Sequence, residues 1–153
     1  GKLTAMEDLR LVGNSFIGPI PSEIGQLRSM HSLTLNSNLL NGTMPTELGN
    51  LESMQYLYLR NNSLSGRLPT ELGLLTNAME LLFHINELSG TVPVELTKLV
   101  VNGNLSAMQL DTNRLTGSIF VGLCFLGEFN DTAYTGLAFD CNDNLCGCSW
   151  CPC

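Results

Sequence analysis

Residues 54–77 read MQYLYLRNNSLSGRLPTELGLLTN. Leu57 and Leu59 alternate with Tyr56, Tyr58 and Arg60, which predicts a short strand with one apolar face. Asn62 follows, and its amide suits a turn whose buried backbone groups need partners. Gly66 opens backbone conformations closed to other residues. Pro69-Thr70-Glu71-Leu72-Gly73 then reads as a short helical turn, proline near its start and glycine at its end. One such unit has no means of burying its own leucine face. It needs copies of itself stacked on either side.

The copies are present at a period of 24 residues. Segment 30–53 carries Met30, Leu33, Leu35, Asn38, Leu40, Gly42, Met44, Pro45, Glu47, Leu48, Gly49 and Leu51. Segment 6–29 carries Met6, Leu9, Leu11, Asn14, Phe16, Gly18, Ile20, Pro21, Glu23, Ile24, Gly25 and Leu27. Segment 78–104 keeps the frame through Leu81, Phe83, Asn86, Leu88, Gly90, Val92, Pro93, Glu95 and Leu96, then runs long near Val100–Asn104. Segment 105–133 has Leu105, Met108, Leu110, Asn113, Leu115 and Gly117, with Phe120 in the proline position. Segment 134–153 shows Leu137, Phe139 and Asn142 before passing into cysteines. Stacked in parallel, Asn14, Asn38, Asn62, Asn86, Asn113 and Asn142 are predicted to form a ladder. Residues 1–5 match the tail of a preceding unit, which predicts that the chain is the carboxy-terminal part of a longer array.

The repeat resembles the plant-type leucine-rich repeat, whose signature is Leu-x-x-Leu-x-Leu-x-x-Asn-x-Leu-x-Gly-x-Ile-Pro. Its specific element stands here as Gly18-Pro19-Ile20-Pro21, Gly42-Thr43-Met44-Pro45, Gly66-Arg67-Leu68-Pro69 and Gly90-Thr91-Val92-Pro93. The resemblance implies an α/β solenoid. It would be a right-handed superhelix with a concave parallel β-sheet and short 3-10 or helical turns on the convex side. It also implies a binding role, as in receptor-kinase ectodomains, receptor-like proteins and secreted inhibitors of wall-degrading enzymes, without catalysis in this domain.

Composition narrows the function independently. Seven Lys and Arg against 14 Asp and Glu leave a net charge of -7, which excludes a phosphate-backbone binder as the default. Leucine supplies 29 positions and asparagine and glycine 15 each, so one unit is being repeated. No apolar run approaches the roughly 18 residues of a bilayer span. There is no nucleophile elbow, metalloprotease helix, phosphate loop or dinucleotide fingerprint. The expectation is a non-catalytic chain without cofactor or nucleic-acid partner.

Cys124, Cys141, Cys146, Cys148, Cys151 and Cys153 all lie in the last 30 residues. Their even number, where the repeat stops, reads as a disulfide-rich cap in an oxidising compartment, with Cys124 and Cys141 as the first pair by predicted adjacency. Four thiolates among Cys146–Cys153 holding zinc are the alternative. A run of closely spaced cysteines after plant-type repeats is also similar to secreted leucine-rich repeat proteins of diatoms and related algae. Asn41, Asn61, Asn104 and Asn130 head Asn-x-Ser/Thr sequons, in keeping with an extracellular or cell-surface protein.

The frame assigns outward columns on the strands. The position between the leucines gives Arg10, Thr34, Tyr58, Leu82 and Gln109. The next outward position gives Val12, Asn36, Arg60, His84 and Asp111, and the preceding one Asp8, Ser32, Tyr56, Glu80 and Ala107. Tyr56, Tyr58 and Arg60 are predicted to adjoin Met79, Glu80, Leu82 and His84 as an exposed contact patch, with Arg10 and Asp111 on its flanks. His31 and His84 read as surface polar residues. The expected partner is a protein or peptide, or else a glycan. The alternatives are an accessory subunit of a larger extracellular or lumenal assembly, and an inhibitor of a secreted hydrolase.

Overall fold

The computed structural model describes residues 5–101 and 104–117, and the backbone of one further strand at 136–138. The Leu-x-Leu pairs do form strands. They are β1 (Asp8–Arg10), β3 (Ser32–Thr34), β5 (Tyr56–Tyr58), β7 (Glu80–Leu82), β9 (Ala107–Gln109) and β11 (Gly136–Ala138). Between them lie β2 (Ile17–Gly18), β4 (Leu39–Thr43), β6 (Ser63–Gly66), β8 (Glu87–Gly90) and β10 (Arg114–Leu115). The odd-numbered strands pair in parallel in chain order, with Leu9, Leu33, Leu57, Leu81 and Met108 in one register line. We number the coils from 1, by the strands β1, β3, β5, β7 and β9.

Leu33, Leu57, Leu81 and Met108 are fully buried in the one core that the stacked coils share. Complete burial of such a side chain is worth about 1.5–3 kcal/mol. The outward residues of the same strands form the concave face.

The asparagine ladder is present in coils 1 to 5. The Asn62 amide donates to the Leu59 carbonyl of its own coil at 3.1 Å and to the Leu35 carbonyl of the coil before at 3.0 Å. Its Oδ1 accepts from the Leu40 amide at 3.0 Å. Asn38, Asn86 and Asn113 repeat the pattern. Asn14 bonds only within its own turn, to the Leu11 and Val12 carbonyls. Asn142 lies outside the described residues.

The even-numbered strands make a second parallel sheet, ordered β2-β4-β6-β8-β10, which the sequence did not reveal. Leu40, Leu64, Leu88 and Leu115 point from it into the core. Gly42, Gly66 and Gly90, at or one residue before the ends of β4, β6 and β8, have φ of +74°, +77° and +78°, so the glycine of the signature is needed for its backbone.

The return segments are 3-10 turns at Ser22–Gln26, Thr46–Asn50, Thr70–Leu74 and Val94–Leu96, each entered from a proline. The glycine near the end of the turn has a different role from the helical stop read in the sequence. A Cβ on Gly73 would lie 2.6 Å from the Glu95 carbonyl oxygen of the next coil. Glycine there sets how closely the convex turns stack. In coil 4 the extra residues continue into a short helix, α1 (Thr97–Val101), anchored by buried Leu99.

Candidate binding surface

The concave face is uneven, because strands in one register carry outward residues of very different size. Ser32, Thr34 and Asn36 of coil 2 are short. All three are buried, and Ser32 and Thr34 lie in register between Asp8 and Arg10 of coil 1 and Tyr56 and Tyr58 of coil 3. The result is a hollow of about 440 Å³ lined by Arg10, Val12, Ser32, Thr34, Tyr56 and Tyr58. Among the described residues neither the Ser32 nor the Thr34 hydroxyl has a hydrogen-bond partner.

The aromatic wall of the hollow is held in place from the other side. Tyr56 and Tyr58 meet edge to face, with ring centroids 6.2 Å apart and planes at 72°. The Tyr58 hydroxyl donates to Glu80 Oε2 at 2.6 Å, and the Tyr56 hydroxyl reaches Met79 Sδ at 3.5 Å. Burial first, then the bond to Glu80 and its charge, push the ionisation of Tyr58 well above the usual phenol range, against a small opposing effect of Arg60. The phenol therefore keeps its proton, and the contact with Glu80 persists across physiological pH.

Coil 4 presents a ridge where coil 2 presents a floor. Met79, Glu80 and Leu82 are half-buried, so this part of the expected exposed patch is less exposed than its composition suggested. His84 corrects the expectation of a surface polar residue, since only 8% of it is exposed. Burial lowers its pKa below 6.5; Asp111 opposes that and Arg60 adds to it. His84 Nδ1 and Asn36 Oδ1 are buried without a hydrogen-bond partner among the described residues. Arg60 stands exposed between them, and neither it nor Arg10 makes an ion pair among the described residues.

The structure thus brings Tyr56, Tyr58, Arg60, Met79, Glu80, Leu82 and His84 onto neighbouring strands, with Asp111 beside His84 and Arg10 across the hollow. Val12, Ser32 and Thr34 were missed as site residues. Their signal was the alternation of large, small and large down the columns Arg10, Thr34, Tyr58 and Asp8, Ser32, Tyr56. Asn41, Asn61 and Asn104 are exposed; Asn61 has φ +55° and donates to Ser37 Oγ at 3.2 Å. Asn130 and the six cysteines fall outside the described residues, as do the disulfide and zinc readings that rest on them. Among the described residues no group of three or more His, Cys, Asp or Glu is placed to hold a metal ion, and no helix is long and apolar enough to cross a membrane.

A family model described as Leucine Rich Repeat matches residues 53–75. Among solved structures the chain is similar to the plant peptide hormone receptor RGFR1 in complex with RGF2. Identity is 34% over 87% of this chain and 20% of that one, with a TM-score of 0.75. It is similar to PEPR1 bound to AtPEP1, at 29% identity over 93% of this chain and 21% of that one, TM-score 0.77. The ectodomain of BIR2 from Arabidopsis thaliana shares 31% identity over 91% of this chain and 68% of that one, TM-score 0.74. The chain therefore spans about a fifth of the RGFR1 and PEPR1 chains and about two thirds of BIR2. A search of curated proteins finds no match. The repeat signature, the stacked parallel strands, the asparagine ladder and these likenesses together place the chain in the plant-type leucine-rich repeat family.

Proposed function

We propose that this chain is a non-catalytic, extracellular binding module that recognises a protein or peptide across its concave face. The observation that carries this is the hollow over coil 2. It is preformed, its aromatic wall is fixed by hydrogen bonds from behind, and its floor holds two hydroxyls without a partner among the described residues. Preorganised tyrosine, arginine and methionine side chains around a depression are the usual make-up of an interface centre. The likeness to RGFR1 with RGF2 and to PEPR1 with AtPEP1 supports a peptide or protein as the partner, and an extracellular setting.

Selection from a displayed peptide library tests this reading. Binders enriched on the wild-type chain should lose at least roughly tenfold in affinity against the double variant Tyr58→Ala/Arg60→Ala, the loss of one or two interface anchors. They should bind the convex variant Lys98→Gln unchanged. Binders that depend on Lys98 and ignore Tyr58 and Arg60 would move the function to the convex side.

A further inference from the structure

We propose that Asn41 carries an N-linked glycan whose first sugar lies over the exposed apolar residues Leu39 and Ile17, on the flank formed by the second sheet. The inference rests on the extracellular setting of the reading above and concerns a face which that reading leaves unused.

Strand β4 alternates across its sheet. Leu40 is buried, while Leu39, Asn41 and Thr43 face outward and are exposed. Residues two apart on one face of a strand lie about 7 Å from each other, so Leu39 stands beside Asn41. Ile17 of β2 is the register partner of Leu39 across the sheet. Ile17 is 77% exposed and Leu39 57%, which makes a platform of two aliphatic side chains next to an outward asparagine. Asn41 heads the sequon Asn41-Gly42-Thr43, and its side chain has no hydrogen-bond partner among the described residues. The other sequon asparagines in the described residues are placed differently. Asn61 Nδ2 donates to Ser37 Oγ at 3.2 Å from a turn at φ +55°, and Asn104 lies ahead of β9, outside both sheets.

The surroundings suit a sugar better than a protein. Around Asn41 the outward residues of β4 and β6 are Leu39, Thr43, Ser63 and Ser65. Within the strands of this sheet charge appears only at Glu87 and Arg114, which pair with each other at 3.1 Å. A protein docked over Asn41 would cover two aliphatic side chains, far less than the few hundred Å² of a contact patch, and would meet no unpaired charge to orient it. An N-acetylglucosamine matches that small scale. The C–H face of its ring and its acetyl methyl shed water against Leu39 and Ile17, while its hydroxyls stay at the edge in solvent.

Attachment makes one bond and breaks one. Asn41 Nδ2 attacks the anomeric carbon of an oligosaccharide carried on a lipid pyrophosphate, in the site of an oligosaccharide transferase. The new C–N bond replaces the C–O bond to the pyrophosphate, which departs with the lipid, and the amide gives one proton to a base of the transferase. The Thr43 hydroxyl supplies the third position of the sequon.

The test is to secrete the full chain from a eukaryotic cell line behind a cleavable leader. Glycan removal by an amidase in heavy-oxygen water then tags each occupied asparagine for peptide mass mapping. Asn41 should be tagged in most molecules, Thr43→Ala should abolish that tag, and Thr43→Ser should retain it. NMR of the intact glycoprotein should show contacts from the acetyl methyl of the first sugar to the methyls of Leu39 and Ile17. Leu39→Ser/Ile17→Ser should lose those contacts while Asn41 stays occupied, which separates the platform from the sequon. Tags at Asn61 or Asn104 with Asn41 empty overturn the proposal and leave the extracellular reading standing. An occupied Asn41 whose sugar makes no contact with Leu39 or Ile17 overturns it too, as does broadening of those methyls with rising concentration of the glycosylated chain, the sign of a second copy covering them. Absence of glycan at every sequon counts against both the proposal and the extracellular reading.

Discussion

Coils 2 and 4 share a backbone and differ in relief. Leu33 and Leu81 occupy the same inward position, and Asn38 and Asn86 the same rung of the ladder. Outward, coil 2 shows Ser32, Thr34 and Asn36, while coil 4 shows Glu80, Leu82 and His84. One gives a floor and the other a ridge. The turn after each strand differs too. Coil 2 places Ser37 at φ +55°, whereas coil 4 places the β-branched Ile85 at φ +57° and leaves it 43% exposed. The inward leucines and the ladder set the strand geometry, and three outward residues per coil then decide what surface it presents.

The shared frame is the place where the largest effect is expected. Asn62 lies between the two coils and holds backbone groups of coils 2 and 3 at once. Asn62→Ala should cost about 2–4 kcal/mol in urea unfolding, since it orphans several backbone groups that water does not readily reach. Asn14→Ala, which loses bonds only within an exposed turn, should cost less than about 1 kcal/mol. Equal losses would mean that the ladder does not couple the coils.

The pH response separates coil 4 from coil 2. His84 has a folded pKa below its unfolded value of 6.5, so as pH falls the unfolded chain takes up the proton first. Its neutral burial therefore favours the fold fully above pH 6.5, and that advantage is progressively lost as pH falls below 6.5 toward the folded pKa. Asn36, the equivalent residue of coil 2, does not titrate. His84→Asn should flatten the stability profile over that interval relative to wild type, with Arg60 and Asp111 unchanged. Parallel profiles would contradict the buried setting of His84.

Ile85 sharpens the same contrast. A β-branched residue in the left-handed region is strained, and Asn tolerates that region better, as Asn61 does at φ +55° in coil 3. Ile85→Asn should stabilise the chain by about 1 kcal/mol. A loss of stability would show that Ile85 makes up for its backbone through packing. The smallest effect is expected from the convex ion pair Arg28–Glu52, whose side chains are 69% and 70% exposed. Arg28→Gln should change stability by less than about 0.5 kcal/mol.

Much of this was legible in the residues. Leu57 and Leu59 predict the strand, Asn62 the ladder, and Gly66 with Pro69 the turn that follows. The second sheet was not, because strands of two to five residues such as Leu39–Thr43 contain too little alternation to stand out. The hollow was not read either. It arises from a difference in side-chain size across three coils, so Ser32 and Thr34 carry no signal until Tyr56 and Arg10 are set beside them. His84 was misjudged for a related reason: an outward position on a curved face is not an exposed one when neighbouring coils carry longer side chains.

Filling the hollow is the most direct test of the binding reading. Thr34→Leu puts on coil 2 the residue that Leu82 already supplies at the matching position of coil 4, so the fold should tolerate it. The measurement is the affinity of a library-selected peptide for wild type, Thr34→Leu and Lys98→Gln, with urea unfolding of each. Binding through the coil-2 hollow requires a loss of at least roughly tenfold for Thr34→Leu, with Lys98→Gln unchanged and both variants folded. Unaltered affinity in a folded Thr34→Leu chain would contradict it.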